Sequence, residues 1–389
     1  MKPSKFLSLL PLAVAAALTG CAQQTSVPAA AGTAKAAVAQ PAEVKRQALA
    51  QGLYELAYSA RQDAVFVASS GGFGATAASS RILRLHPDTL AVQAEIPLER
   101  KGFGVTLDDA ANRLYVGNTN DGSITVIDTA ANQVVGVVQL VQKAKVTGPD
   151  GKEAERYPHN FREMVVDSAR HRLYAPGLAF KDSALYVIDT RSLTLEKVLP
   201  GFGFVATGVA LDDKTGKLYV SNAQGQLFTV DTGSLAVSKV ETTAGDQLLN
   251  LVWDSRGNRV LATDQGMENF DGMRANAGGL TDYQRRGTGN QVVALDPATG
   301  KALATLPTGA GPVALLLDEQ RQRLYVTNRG AGTVSVFDSR SNALLQTVTL
   351  PAHPNSLALD AKRNVLYVTV KNGQNDPKGS DESVARIQF

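Results

Sequence analysis

The chain has 389 residues, of which 44% are hydrophobic and 19% charged, a balance that excludes a disordered or collagen-like polypeptide and supplies a sizeable core. Its formal net charge of +3 is too small for attraction to nucleic acid to follow from bulk charge. Cys21 is the only cysteine, which excludes a disulfide framework.

The N-terminus reads as a targeting segment. Lys2 and Lys5 precede an apolar run from Phe6 to Leu18 that is short for a bilayer span. The run ends in Leu18-Thr19-Gly20-Cys21, which resembles a bacterial lipobox. That resemblance implies that residues 1–20 are a lipoprotein signal peptide, cleaved before Cys21, with acyl chains on the sulfur and the new amine. Ala22 follows the cysteine where an aspartate would retain a lipoprotein at the inner membrane. The expected location is therefore periplasmic, lipid-anchored to the outer membrane of a Gram-negative bacterium. Losing Lys2 and Lys5 with the leader removes two of the three net positive charges. Residues 21–42 are rich in Ala, Gln, Thr and Pro without hydrophobic period, so a flexible tether is expected there.

From residue 43 onward a single regularity organises the chain. A turn residue is followed seven positions later by a large apolar or aromatic residue at Ser59–Phe66, Asp108–Tyr115, Asp167–Tyr174, Asp212–Tyr219, Asp254–Leu261, Asp318–Tyr325 and Asp360–Tyr367. Each pair reads as strand, tight polar turn, strand. A second turn marker follows at His86-Pro87, Asp128-Thr129, Asp189-Thr190, Asp231-Thr232, Asp296-Pro297 and Asp338-Ser339, where side chains or a fixed φ satisfy a hairpin backbone. A fourth strand comes next, as in Gln133 to Leu140 or Leu344 to Leu350. Short strands at a period of about 40–50 residues mark a β-propeller. The last repeat stops at its third strand, Ser383 to Phe389, while Glu43 to Ala50 stands before the first repeat as a spare fourth strand. The expected fold is all-β: a seven-bladed β-propeller of four-stranded antiparallel blades over 43–389, its last blade completed by an N-terminal strand that leaves no open edge.

The repeats carry a resemblance. Tyr325-Val326-Thr327-Asn328 is the signature of the YVTN propeller repeats, and Tyr219-Val220-Ser221-Asn222 is close to it. Gly52-Leu53-Tyr54-Glu55-Leu56-Ala57-Tyr58-Ser59 and His353-Pro354-Asn355-Ser356-Leu357-Ala358-Leu359, with Leu366-Tyr367-Val368 and Lys371, are similar to stretches of the periplasmic YncE-type propellers. The resemblance implies single-stranded DNA as a ligand. The lipobox and the long insertion of blade five depart from that type.

Comparison of the repeats with one another shows where they differ. The spacing from the Tyr position to the second marker is 12 to 15 residues in four blades, but 20 after Phe66, 35 after Leu261 and 21 from Tyr367 to Gln388. From the marker to the next turn residue the spacing is 22 or 23 five times and 39 once, between Asp128 and Asp167. Extra residues inside a strand would slip its register, so they belong in loops. All four expansions then fall on the face formed by the b–c loops and the d–a connections. That face is expected to carry Arg100, Lys101, Phe103, His159, Arg162, Glu163, Phe204, Arg329, His353, Asn355 and Lys371, with Glu55 at the mouth of the central channel. Aromatic planes interleaved with Arg and Lys suit single-stranded nucleic acid. The expected function is a non-enzymatic envelope propeller that binds a ligand through this face. The alternatives are a lactonase-like hydrolase or lyase at the channel mouth and a platform for envelope proteins.

Catalytic machinery is thinly represented. The four histidines, His86, His159, His171 and His353, form no pair with metal-ligand spacing, and no nucleophile elbow is present. No metal, cofactor or catalytic residue is expected. His86 and His171 fall in turns of the uniform face, which leaves His159 and His353 as acid–base candidates.

Overall fold

The computed structural model of the protein describes residues 42–147 and 152–389; the leader, Cys21 and most of the tether lie outside the described residues. The two turns of each repeat explain the spacings. Ser59 Oγ accepts from the backbone N–H of Gln62, and Asp108, Asp167, Asp212, Asp254, Asp318 and Asp360 do the same for the residue three positions on. The next residue is left-handed in every blade: Asp63, Asn112, His171, Gly216, Asn258, Gln322 and Asn364 all have positive φ. The c–d turns repeat the device. Asp128, Asp189, Asp231, Asp296 and Asp338 each accept two backbone N–H groups, which lowers their carboxyl pKa values. His171 is thus a turn residue at φ 55°, and His86 caps its turn through Nδ1, which accepts from Asp88 N. Both keep to the uniform face.

The first three strands of blade one are Leu53–Ser59, Ala64–Ser69 and Arg81–Leu85, with Val92–Pro97 outermost. Blades two (104–139), four (209–241), five (248–307) and six (312–349) follow the same order of four antiparallel strands. In blade seven, His353–Asp360, Val365–Lys371 and Glu382–Gln388 are joined by Glu43–Ala50 as the outermost strand, with Glu43 opposite Gln388 and Ala50 opposite Glu382. The predicted closure is therefore realised.

The repeated aromatics lie between blades. Phe66, Tyr115, Tyr174, Tyr325 and Tyr367 are fully buried, each stabilising its interface by about 2 kcal/mol. Tyr367 also donates its hydroxyl to Pro87 O of blade one at 3.0 Å, tying the ring across its closure. The outermost strands are largely exposed, and they carry scattered apolar residues such as Val92, Leu303 and Leu344 beside the row Val134, Val135 and Val137.

Three features were not anticipated. The first strand of blade three is divided into Asn160–Phe161 and Val165–Asp167, with Arg162 and Glu163 in the gap, at the level where blades one, five, six and seven shift register. The 39-residue spacing holds an extra hairpin, Ala144–Thr147 with Glu153–Arg156. The blade-five insertion contains a helix, Asn269–Asn276. Among the described residues no helix is long and apolar enough to cross a membrane.

Candidate functional site

The expanded connections share one face. Lys101, in the connection from blade one to blade two, donates to Ser70 O and Gly72 O in the expanded loop of blade one. A Cβ on Gly379, in the blade-seven loop, would meet Thr76 of that same loop at 2.9 Å. A cavity of about 670 Å³ is bounded both by the blade-three connection and by Ala277 of the blade-five insertion.

At the centre, Glu55, Glu163, Asn250, Ala314 and Ser356 line a cavity of about 120 Å³, which places Glu55 at the channel as expected. The residues next in each strand, Leu56, Val105, Leu315 and Leu357, pack between blades and also reach this cavity. Gly104 and Gly208 stand four residues before Asp108 and Asp212, as Glu55 does before Ser59. A Cβ on Gly104 would lie 1.7 Å from Arg162 O, so glycine there lets the backbone of blade three approach.

Arg162 Nε stands 3.4 Å from Glu55 Oε1 and 3.8 Å from Glu163 Oε1. Glu163 accepts from Asn250 Nδ2 at 3.1 Å, and Glu55 accepts from Val105 N at 2.9 Å. Burial, then the neighbouring Glu163 charge, pushes the Glu55 carboxyl well above its ordinary range. Burial works against the charge on Arg162, but Glu163 and Glu55 outweigh it and hold the guanidinium protonated. Asn355 is 2% exposed and its Nδ2 finds no protein acceptor, which leaves a donor at the cavity wall.

Around the mouth stands a series of rings and cations. Lys101 Nζ is 5.0 Å from the centre of the Phe73 ring, Phe73 stacks on Phe103 at 6.1 Å, and Phe103 meets Tyr54 edge-on at 4.5 Å. Lys371 Nζ lies 3.9 Å from the Tyr54 ring centre. Burial, then the Glu382 charge, raises the Tyr54 hydroxyl pKa. Arg329 is exposed and, among the described residues, its guanidinium makes no ion pair. Its pKa is lowered by desolvation and then by the like charge of Arg162.

The expected site residues divide accordingly. Glu55, Arg162, Glu163, Asn355 and Arg329 gather at the channel, with His353 beside them: its Nδ1–H donates to Arg329 O at 2.8 Å. Lys371 is buried and committed to Leu53 O and Glu382, so it serves mainly as a cationic support for Tyr54. Phe103 and Phe204 must be corrected: at 6% and 1% exposure they pack beneath the face, Phe204 against Phe180 and Phe270, because a blade junction leaves a gap that an aromatic fills. Arg100 reaches Gln139 at 2.6 Å, away from the channel. His159 lies over blade three with both ring nitrogens occupied, by the Tyr186 hydroxyl and Asp182 O. Tyr54 and the exposed Phe73 complete the mouth. Tyr54 escaped the sequence reading because attention rested on the charged Glu55 beside it.

These features define a seven-bladed β-propeller elaborated on one face around a charged channel mouth. No family model matches the chain. It is 32% identical over 310 residues to the uncharacterized protein YncE of Salmonella typhimurium, covering 77% of each chain. To the uncharacterized protein YncE of Escherichia coli strain K12 it is 31% identical over 234 residues, 57% of this chain and 62% of that protein. The chain belongs to the YncE family. Among solved structures, that of U3-55K superposes with a TM-score of 0.66 at 10% identity, covering 90% of this chain and all of that one. The RRP9 WD40 repeats give 0.65 at 11% identity, covering 90% and 98%. At such identities the likeness establishes the fold alone.

Proposed function

We propose that this propeller is a non-enzymatic protein of the cell envelope that binds single-stranded DNA through its elaborated face. One observation carries the reading: among the described residues Arg329 has no ionic partner, and it stands near the channel mouth under repulsion from Arg162 and close to Tyr54. A phosphate placed there would relieve that repulsion, and the exposed Phe73 with Lys101 over it offers a base a stacking plane. Of the two acid–base candidates, His159 has both ring nitrogens engaged and His353 commits Nδ1 to Arg329 O. Anisotropy of a labelled single strand, followed at about 50 and 200 mM salt, tests the proposal. Arg329→Glu should weaken binding at least about tenfold and reduce the salt slope by about one or more, whereas Phe73→Ala should weaken it with the slope unchanged. Wild-type protein that fails to bind at the lower salt would remove DNA from consideration.

The envelope location rests on the lipobox-like Leu18-Thr19-Gly20-Cys21. Cys21→Ser should move the protein from the membrane fraction to the soluble one, since several acyl chains are needed for stable anchoring. Equal membrane retention of the variant would refute the anchor.

A further inference from the structure

A second concavity lies apart from the channel mouth, where the paired strands Ala144–Thr147 and Glu153–Arg156, the connection 157–160 and the b–c loop of blade three enclose about 670 Å³. That volume falls within the range of small-molecule sites. Its framework is braced before any ligand arrives. His159 Nε2 faces the carbonyl oxygen of Asp182 at 2.8 Å, so it must be the protonated nitrogen. Nδ1 pairs with the Tyr186 hydroxyl at 2.7 Å. The ring acts as a strut joining the connection to the b–c loop. Two glycines make room for the aromatic side chains. A Cβ on Gly177 would come within 2.7 Å of the Tyr186 ring, and one on Gly122 within 2.7 Å of the Tyr157 ring.

The wall chemistry is mixed in a particular way. Tyr157 and Phe180 are half-buried aromatics that both border the space. Lys143 and Lys181 are exposed cations on its rim, and among the described residues neither makes an ion pair. Lys143 Nζ stands 5.5 Å from the Tyr157 ring centre, so the ring face that a ligand ammonium would seek already holds a cation. The acids at the wall are Glu155 and Asp182; Glu155 sits opposite Lys145 in the hairpin register.

We propose that this cavity is a binding site for a small planar aromatic anion, its ring against Phe180 and its negative group toward Lys143 and Lys181. The site is independent of DNA binding at the channel mouth and stands or falls separately. Isothermal titration of the full chain with 2-naphthoate tests it, alongside the cationic 1-naphthylmethylamine and neutral 2-naphthalenemethanol. Naphthoate should bind at least about tenfold more tightly than either analogue, a difference of about 1.4 kcal/mol. The double variant Lys143→Glu/Lys181→Glu should abolish that preference, and Phe180→Ala should weaken all three ligands. Lys214→Glu, in a turn of the opposite face, should change nothing. Absence of naphthoate binding, equal or tighter binding of the amine, or an undiminished preference in the double variant would overturn the proposal. Lys143 and Lys181 are exposed, so their replacement leaves the fold intact, and a melting curve matching wild type verifies that for each protein titrated.

Discussion

A chain that begins at Gln51, without Glu43–Ala50, should lose most of its stability and gain a tendency to self-associate. That strand supplies the fourth strand of blade seven in register from Glu43–Gln388 to Ala50–Glu382. Arg46 adds side-chain bonds to Ser383 Oγ at 2.5 Å and to Pro351 O. Deletion exposes the edge of Glu382–Gln388 and removes the link that closes the ring. With each backbone hydrogen bond contributing about 1 kcal/mol net, the loss reaches about 5 kcal/mol, comparable with the whole stability of an ordinary domain. The freed edge is a template for pairing with another chain. Circular dichroism melts and size-exclusion chromatography should therefore show a much lower midpoint and concentration-dependent association. A synthetic peptide of residues 42–50 should reverse that association by adding the missing strand. A truncated chain with the stability and elution of the parent would show that the ring does not depend on this closure.

The ring was legible in the sequence because its turns are local chemistry. An aspartate or serine that caps the residue three ahead, followed by a left-handed residue, fixes a seven-residue spacing that any register slip would break. The side on which the expanded connections lie was legible for the same reason, since a regular strand cannot absorb extra residues. The content of those connections was not. The helix 269–276 has little amphipathic pattern, with only Phe270 and Arg274 buried, and it is held by tertiary contacts such as Arg274 Nε to Ala223 O. The hairpin strands are mostly exposed at 144–146 and 153–156 and lack the alternation that marks a half-buried strand. For the site, charge drew attention to Glu55, Arg162, Glu163 and Arg329, which do meet. Phe103 and Phe204 drew it wrongly, because a junction aromatic looks the same in sequence whether it faces solvent or plugs a gap.

The blade-five insertion is secured by two buried aspartates, and Asp264→Ala should release it. Asp264 is 1% exposed and accepts from Asp246 N, Gln247 N, Gly289 N and Gln291 Nε2 at 3.0–3.2 Å. Asp246, 3% exposed, accepts in turn from Arg286 N, Gly287 N and the Tyr283 hydroxyl. Together they tie the connection between blades four and five to the returning limb of the insertion. The two limbs also touch at Gly266 and Gly289, where a Cβ on either would fall within 2.7 Å of the other's backbone. Alanine at 264 strands four donors, each costing about 1–3 kcal/mol if left dry. Water entering the space vacated by the carboxylate offsets part of this, so the expected net loss is about 3 kcal/mol. Asparagine retains one acceptor oxygen and should cost less, about 1 kcal/mol. Limited proteolysis should then cut Asp264→Ala within residues 265–290 well before the rest of the propeller, while wild type resists, and urea denaturation should give the two losses in that order. Wild-type protease resistance in Asp264→Ala would mean that the insertion is held from elsewhere, with Arg274 on Ala223 as the next contact to remove.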